Sequence, residues 1–311
     1  MNSRGQNKYI VRFIERAKNL VIPGFDKVPI YDVILFFGRG FRKGALVTRA
    51  SSIAFNMLLA LLPSSFFLFS LIPFIPIPNF QAELIDLFET IVPENAYVLL
   101  ESTIVEVITQ KRSLFPAVML LASAIISTNG IHALIHAFIV SDHEFETRNW
   151  VEQRRVSFSL LLIVMLLIAV SAILLIFGSV IVQKLVDMRV LQTSWVYYIL
   201  LVLKWIIIVG LLFLIISFLY YLAPSRKAKF RFISAGSTLA TVLFILTSLG
   251  FSAYVNNFGQ YNKLYGSMGT ILVILLWLYL NSITLLIGFE LNASIKTANI
   301  RNNKNRHKED N

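Results

Sequence analysis

The chain has 311 residues, of which 57% are hydrophobic and only 14% charged, against ~25% charged in ordinary soluble domains. Lys and Arg number 28 against 17 Asp and Glu, a formal net charge of +11, and there is no Cys. Disulfides, thiolate metal sites and Cys nucleophiles are therefore excluded, and a soluble globule is a poor fit to so few charges.

Residues 1–48 form a basic N-terminal region broken by Pro23, Gly24 and Pro29. The first full apolar run starts too late to be the core of a cleavable signal peptide. Residues 28–37 are too short to span a bilayer and read as an interfacial helix, with Arg39, Arg42 and Lys43 near anionic headgroups. Six long apolar runs follow, at roughly 49–77, 115–140, 156–182, 195–222, 230–255 and 268–295. Each is long enough to cross a hydrocarbon core of ~30 Å, which needs ~20 helical residues. The predicted fold is all-α: a polytopic bundle of six transmembrane helices over 49–295.

Between spans one and two, residues 78–114 carry Glu83, Asp86, Glu89, Glu94, Glu101 and Glu106 among apolar residues. Leu84, Leu87, Phe88 and Ile91 keep helical spacing, as do Ile104, Val105 and Ile108, with Pro93-Glu94-Asn95 as a turn. This predicts an amphipathic, extracytoplasmic helical hairpin; a solvated acidic connector is the alternative. Residues 296–311 read as a basic, disordered cytoplasmic tail. A basic tail is expected of such a protein, so no nucleic-acid partner is inferred.

Lys and Arg alternate along the chain. Twenty-two lie in the N-terminal region, the loops after spans two and four and the tail, and 5 lie in the three other loops. The positive-inside rule then puts both termini in the cytoplasm. The expected partners are the bilayer itself and anionic headgroups at the cytoplasmic face, with homo-oligomerisation left open.

Polar residues within the spans are the candidate functional groups, because each ionisable group there costs roughly 2.5 kcal/mol or more at mid-depth. Asn129, His132 and His136 share one face of span two. Asn56 near the start of span one and Glu290 near the end of span six should lie at similar depth. Together they could line a cytoplasm-facing cavity in which Glu290 and a His exchange a proton. Alternatively they hydrogen-bond across helices, and Glu290 reaches the interface. Lys204 in span four either snorkels outward or marks a pathway. The outer loop holding Tyr261, Asn262, Tyr265 and Gly266 is either a gate or an interfacial turn. His132 and His136 have two-His metal spacing but no evident third ligand, so neither metal nor cofactor is assigned. Gly236 with Ala240, and Ser123 with Ser127, are small pairs suited to close helix packing. Pro63 and the Pro73, Pro76, Pro78 series could break the first helix or equally mark its exit from the bilayer.

Five motifs occur in order: Ala54-Phe55-Asn56-Met57-Leu58-Leu59-Ala60-Leu61-Leu62-Pro63, Tyr220-Tyr221-Leu222-Ala223-Pro224, Leu249-Gly250-Phe251-Ser252-Ala253-Tyr254, Phe258-Gly259-Gln260-Tyr261-Asn262-Lys263-Leu264-Tyr265-Gly266-Ser267, and Gly288-Phe289-Glu290-Leu291-Asn292-Ala293. With Leu276-Trp277-Leu278-Tyr279-Leu280 they resemble the YihY/virulence factor BrkB family of bacterial inner-membrane proteins. The resemblance runs from about residue 32 to residue 293 and implies six spans with both termini inside. Asn56-Met57 departs from a Tyr-rich pair usual in the family, so no aromatic role carries over there. Members have been described as virulence factors, permeases and, historically, a ribonuclease. Four His, two of them in a span, lack the clustered carboxylates of a two-metal phosphodiesterase, which argues against an enzyme. A transporter with a polar cytoplasm-facing cavity is the expected function. A non-transporting envelope scaffold that organises lipids or partners is the alternative.

Overall fold

A computed structural model describes residues 29, 31, 46–70, 114–139, 149–187, 194–224, 231–257 and 267–309. The interfacial helix expected at 28–37 (apart from Pro29 and Tyr31), the acidic hairpin expected at 78–114 (apart from Leu114) and the loop residues Tyr261, Asn262, Tyr265 and Gly266 lie outside these. Among the described residues there are six helices and no strand: α1 Leu46–Ser70, α2 Leu114–Ile139, α3 Trp150–Asp187, α4 Ser194–Leu222, α5 Ala235–Asn257 and α6 Ser267–Glu309. By length and apolar composition α2 to α6 can each cross a membrane, and α1 contributes a shorter apolar segment, Leu46–Leu61. The protein is a multi-pass membrane protein.

At Pro63, where a break was one of two readings, α1 runs on to Ser70. One boundary differs from the sequence reading: residues 296–309, expected to be a disordered tail, continue α6 to Glu309. No Gly or Pro follows Gly288 to stop the helix. Ile295 and Ala298 are buried and pack with Leu291 and Ala235, which anchors the extension onto the start of α5.

The helices form a closed ring. Each packs on its neighbours in sequence, and α6 returns to pack on α1. One end of this ring, where α1, α3 and α5 begin and α2, α4 and α6 approach, is the densely packed one. There the Phe138 ring of α2 stacks on Phe289 of α6 with centroids 4.1 Å apart. Tyr220 of α4 stands edge-on to both, at 5.6 Å and 5.8 Å, in the geometry that ring quadrupoles favour. All three side chains are fully buried. The Tyr220 hydroxyl, which would be stranded in this apolar centre, donates to the Leu285 carbonyl at 2.6 Å.

Small residues bring α5 and α6 together. A Cβ on Gly288 would lie 2.6 Å from Ala240 Cβ, from the Gly236 carbonyl and from the Tyr220 hydroxyl. The Gly236–Ala240 pair singled out by spacing therefore meets Gly288, the backbones approaching as only glycine permits. Asn292 of α6 then reaches the first turn of α5, whose N–H groups have no partner within the helix. Its Oδ1 accepts from the Gly236 N–H at 2.8 Å and its Nδ2 donates to Ser234 Oγ at 2.8 Å. Ser234 in turn caps the Ser237 N–H at 3.1 Å.

Glycine is required at 288 and not at 210, where a Cβ would meet nothing within 4 Å. Gly288→Ala should lower thermal stability in detergent by ~1–3 kcal/mol through overpacking. Gly210→Ala should leave it unchanged or raise it by up to ~1 kcal/mol through helix propensity. Equal midpoints for the two variants would refute the close approach.

Candidate functional site

A groove of about 450 Å³ opens between α1 and α2 at the packed end of the ring. Thr48, Arg49, Ser52 and Asn56 line it from α1. Asn129, His132, Ala133, His136 and Ala137 line it from α2. The spacing explains the assembly. On α1, positions 48, 52 and 56 recur every four residues, and on α2 so do 129, 133 and 137 and 132 and 136, so each set shares a face. Gly130 lets the two helices approach: a Cβ there would sit 3.3 Å from Ala60 Cβ and Met57 Cα.

Arg49 forms the base of the groove. Its Nη2 donates to Glu290 Oε1 of α6 at 2.7 Å, and its Nη1 donates to the Ala137 carbonyl of α2 at 2.9 Å. The two side chains are 7% and 3% exposed, so this is a buried ion pair. Ala137 lies in the last turn of α2, where carbonyls lack intrahelical partners and a cation is favoured by the helix dipole. One guanidinium thus ties α1, α2 and α6. The sequence reading missed Arg49 because it counted it among the basic residues flanking span one. The available signal was Glu290, a carboxylate inside a span that needs a cation at matching depth.

The four sequence candidates Asn56, Asn129, His132 and His136 come together on the groove walls. Asn56 Nδ2 bonds back to the Ser52 carbonyl at 2.8 Å. Asn129 Oδ1 accepts from Arg154 Nη1 of α3 at 3.1 Å, while Arg154 Nη2 donates to the Ile125 carbonyl at 2.8 Å. His132 Nδ1 is buried and makes no hydrogen bond among the described residues. Glu290 sits behind Arg49 rather than on the wall, and among the described residues its ion-pair partner is Arg49, not a histidine. Lys204 lies apart. It is 16 residues before Tyr220 on α4, roughly 24 Å along the axis from the packed end. Among the described residues no three His, Asp or Glu side chains gather as metal ligands would.

Removing one partner of a buried pair strands the other charge at a cost of about 3–5 kcal/mol, whereas replacing both can be near neutral. Arg49→Leu should therefore lower the unfolding midpoint of the purified protein sharply, and Glu290→Gln less, since Gln still accepts a hydrogen bond. The double variant Arg49→Leu/Glu290→Leu should recover much of the loss. Additive effects of the two leucine substitutions would show that the groups act separately.

Comparison with known proteins places this architecture. The chain is 27% identical over 246 residues to the ribonuclease-like protein YfkH of Bacillus subtilis (strain 168), covering 79% of this chain and 88% of the relative. It is 39% identical over 82 residues to the UPF0761 membrane protein PSHAa0171 of Pseudoalteromonas translucida (strain TAC 125), covering 26% and 27% of the two chains. It is also 34% identical over 92 residues to the UPF0761 membrane protein IL2447 of Idiomarina loihiensis (strain ATCC BAA-735 / DSM 15497 / L2-TR), at 30% and 32% coverage. No solved structure matches the chain. The family model described as Virulence factor BrkB matches residues 37–311, so the ring of helices and its groove belong to a member of the virulence factor BrkB family of membrane proteins.

Proposed function

We propose that the protein is a six-span permease of the bacterial cytoplasmic membrane, with both termini in the cytoplasm and the α1–α2 groove as its cytoplasmic entrance. The observation that carries this reading is the groove itself. Hydrogen-bonding side chains from two helices, an arginine and two histidines among them, converge there on about 450 Å³ of space within a largely apolar bundle. Polar groups cost free energy in such a bundle unless they are paired or face water or a ligand. Orientation rests on the 22 to 5 distribution of Lys and Arg, since the packed end is the one flanked by the basic segments. The ribonuclease-like name of one relative suggests no role for the groove histidines. Among the described residues they have no cluster of carboxylates beside them to hold the metal ions of a phosphodiesterase.

The chain has no Cys, so single cysteines report accessibility without background. Asn56→Cys and Ser52→Cys should react with a membrane-impermeant maleimide from the cytoplasmic face of inverted vesicles. In intact spheroplasts they should react slowly from outside, because a permease exposes its site to each side in turn. A reporter fused at residue 311 should be active only as a cytoplasmic fusion. Labelling confined to the cytoplasmic face would favour a static envelope scaffold, and an external C-terminus would invert the topology.

A further inference from the structure

The groove lies on an outward face of the bundle, and that face changes character along its length. On α2, Val118, Leu121 and Ile125 are exposed by 61%, 64% and 56%. They share a helical face with Asn129, His132 and His136, which follow at three- and four-residue steps. On α1 the order is reversed, as an antiparallel neighbour requires. Thr48 and Ser52 come first, exposed Phe55 stands level with Asn56, and exposed Leu59 lies beyond them. Both helices therefore present a polar end and an apolar continuation on the same side of the molecule.

Among the described residues, the charges around the polar end favour an anion. None of those lining the groove is acidic. Glu290 is matched by Arg49 at 2.7 Å. Arg154 stands beside the groove, spending two N–H groups on Asn129 and the Ile125 carbonyl out of the five a guanidinium carries. Arg155 and Glu152 are the other charged groups in that first turn and a half of α3, and both are exposed. His132 Nδ1 supplies a buried nitrogen with no hydrogen-bond partner among the described residues, a state that is unfavourable until a partner fills it.

From these observations we infer that the groove binds the phosphate-bearing headgroup of an anionic lipid, with the lipid's hydrocarbon chains lying along Leu121, Ile125, Phe55 and Leu59. A free anion would use the polar end and leave the apolar continuation idle; an uncharged amphiphile would use the reverse. His132 and Asn56 donate to the phosphate oxygens, and Arg154 supplies the charge, in the strong hydrogen-bonding mode of cation and oxyanion. This deepens the permease reading by naming the class of molecule the groove takes, and it rests on that reading only for the leaflet involved.

Lipid binding can be measured without any transport. The full-length protein in an uncharged detergent would be titrated separately with dioleoylphosphatidylglycerol, dioleoylphosphatidylcholine and sodium phosphate. Bound lipid would be counted by native mass spectrometry and stabilisation read from the thermal midpoint. Phosphatidylglycerol should bind at least about tenfold more tightly than phosphatidylcholine, consistent with a charge-assisted contact. Arg154→Gln and His132→Phe should each abolish most of that preference, and sodium phosphate should leave the midpoint unchanged. Arg154 is half-buried, so its Gln variant keeps the test valid should His132→Phe fail to fold. Equal binding of the two lipids, or an unchanged preference in Arg154→Gln, would overturn the proposal. Stabilisation by sodium phosphate alone would show a free-anion site and overturn it too. Because maleimide labelling uses no added lipid and lipid counting uses no transport, either reading can fail while the other stands.

Discussion

The fold depends on one ion pair that is almost wholly buried. Arg49 lies in the first turn of the first described helix and Glu290 lies in the last, 241 residues later, and their 2.7 Å contact is what joins the two ends of the ring. In a bilayer-embedded bundle the alternative to pairing is an isolated charge in a low dielectric, which is far costlier than any single packing defect. Such a pair adds little net stability over an apolar substitute, but it penalises every arrangement that separates its partners. Its value is therefore in selecting this closure of the ring, in which α1 meets α6 and Arg49 also holds the end of α2 through the Ala137 carbonyl.

The rest of the packed end follows from having that closure at one level of the bundle. Phe289 is the residue before Glu290, so fixing Glu290 against α1 turns Phe289 toward the centre, about 100° round the helix. There it stacks on Phe138, the residue after the Ala137 that Arg49 grips. Gly288, one residue earlier again, faces α5 and admits Gly236 and Ala240. Three consecutive residues of α6 thus contact α5, the centre and α1 in turn. Without a hydrophobic driving force between helices in lipid, such close backbone approach, stacked rings and satisfied polar groups are the means of association that remain.

The groove is the counterpart of this economy. On the inward sides of α1 and α2, Ile53, Leu134 and Phe138 are buried. On the outward side the same two helices place Ser52, Asn129 and His136 where they are exposed. The polar set is not needed to close the ring, since Arg49 and Glu290 already do so. That leaves it available for the lipid headgroup proposed above.

Much of the architecture was legible in the sequence because a bilayer allows few solutions. Apolar runs of bilayer length must be helices, and within the described residues all six runs fall on helices, the last extended by a stretch with no residue to stop it. Periodicity also put Asn129, His132 and His136 on one face, because helical phase is a local property. Gly236 and Ala240 were recognisable as a packing pair on the same grounds. What periodicity could not supply was the partner of each face. Nothing in the chain's order says that Gly288 receives Gly236, that Phe138 meets Phe289, or that Glu290 turns to Arg49 rather than to a histidine. Those pairings depend on the rotation and order of helices around the ring, which are set by contacts between residues far apart in sequence. Arg49 shows the limit most plainly: in sequence it is one more basic residue at the edge of a span, and only the closing of α6 onto α1 makes it the buried centre of the site.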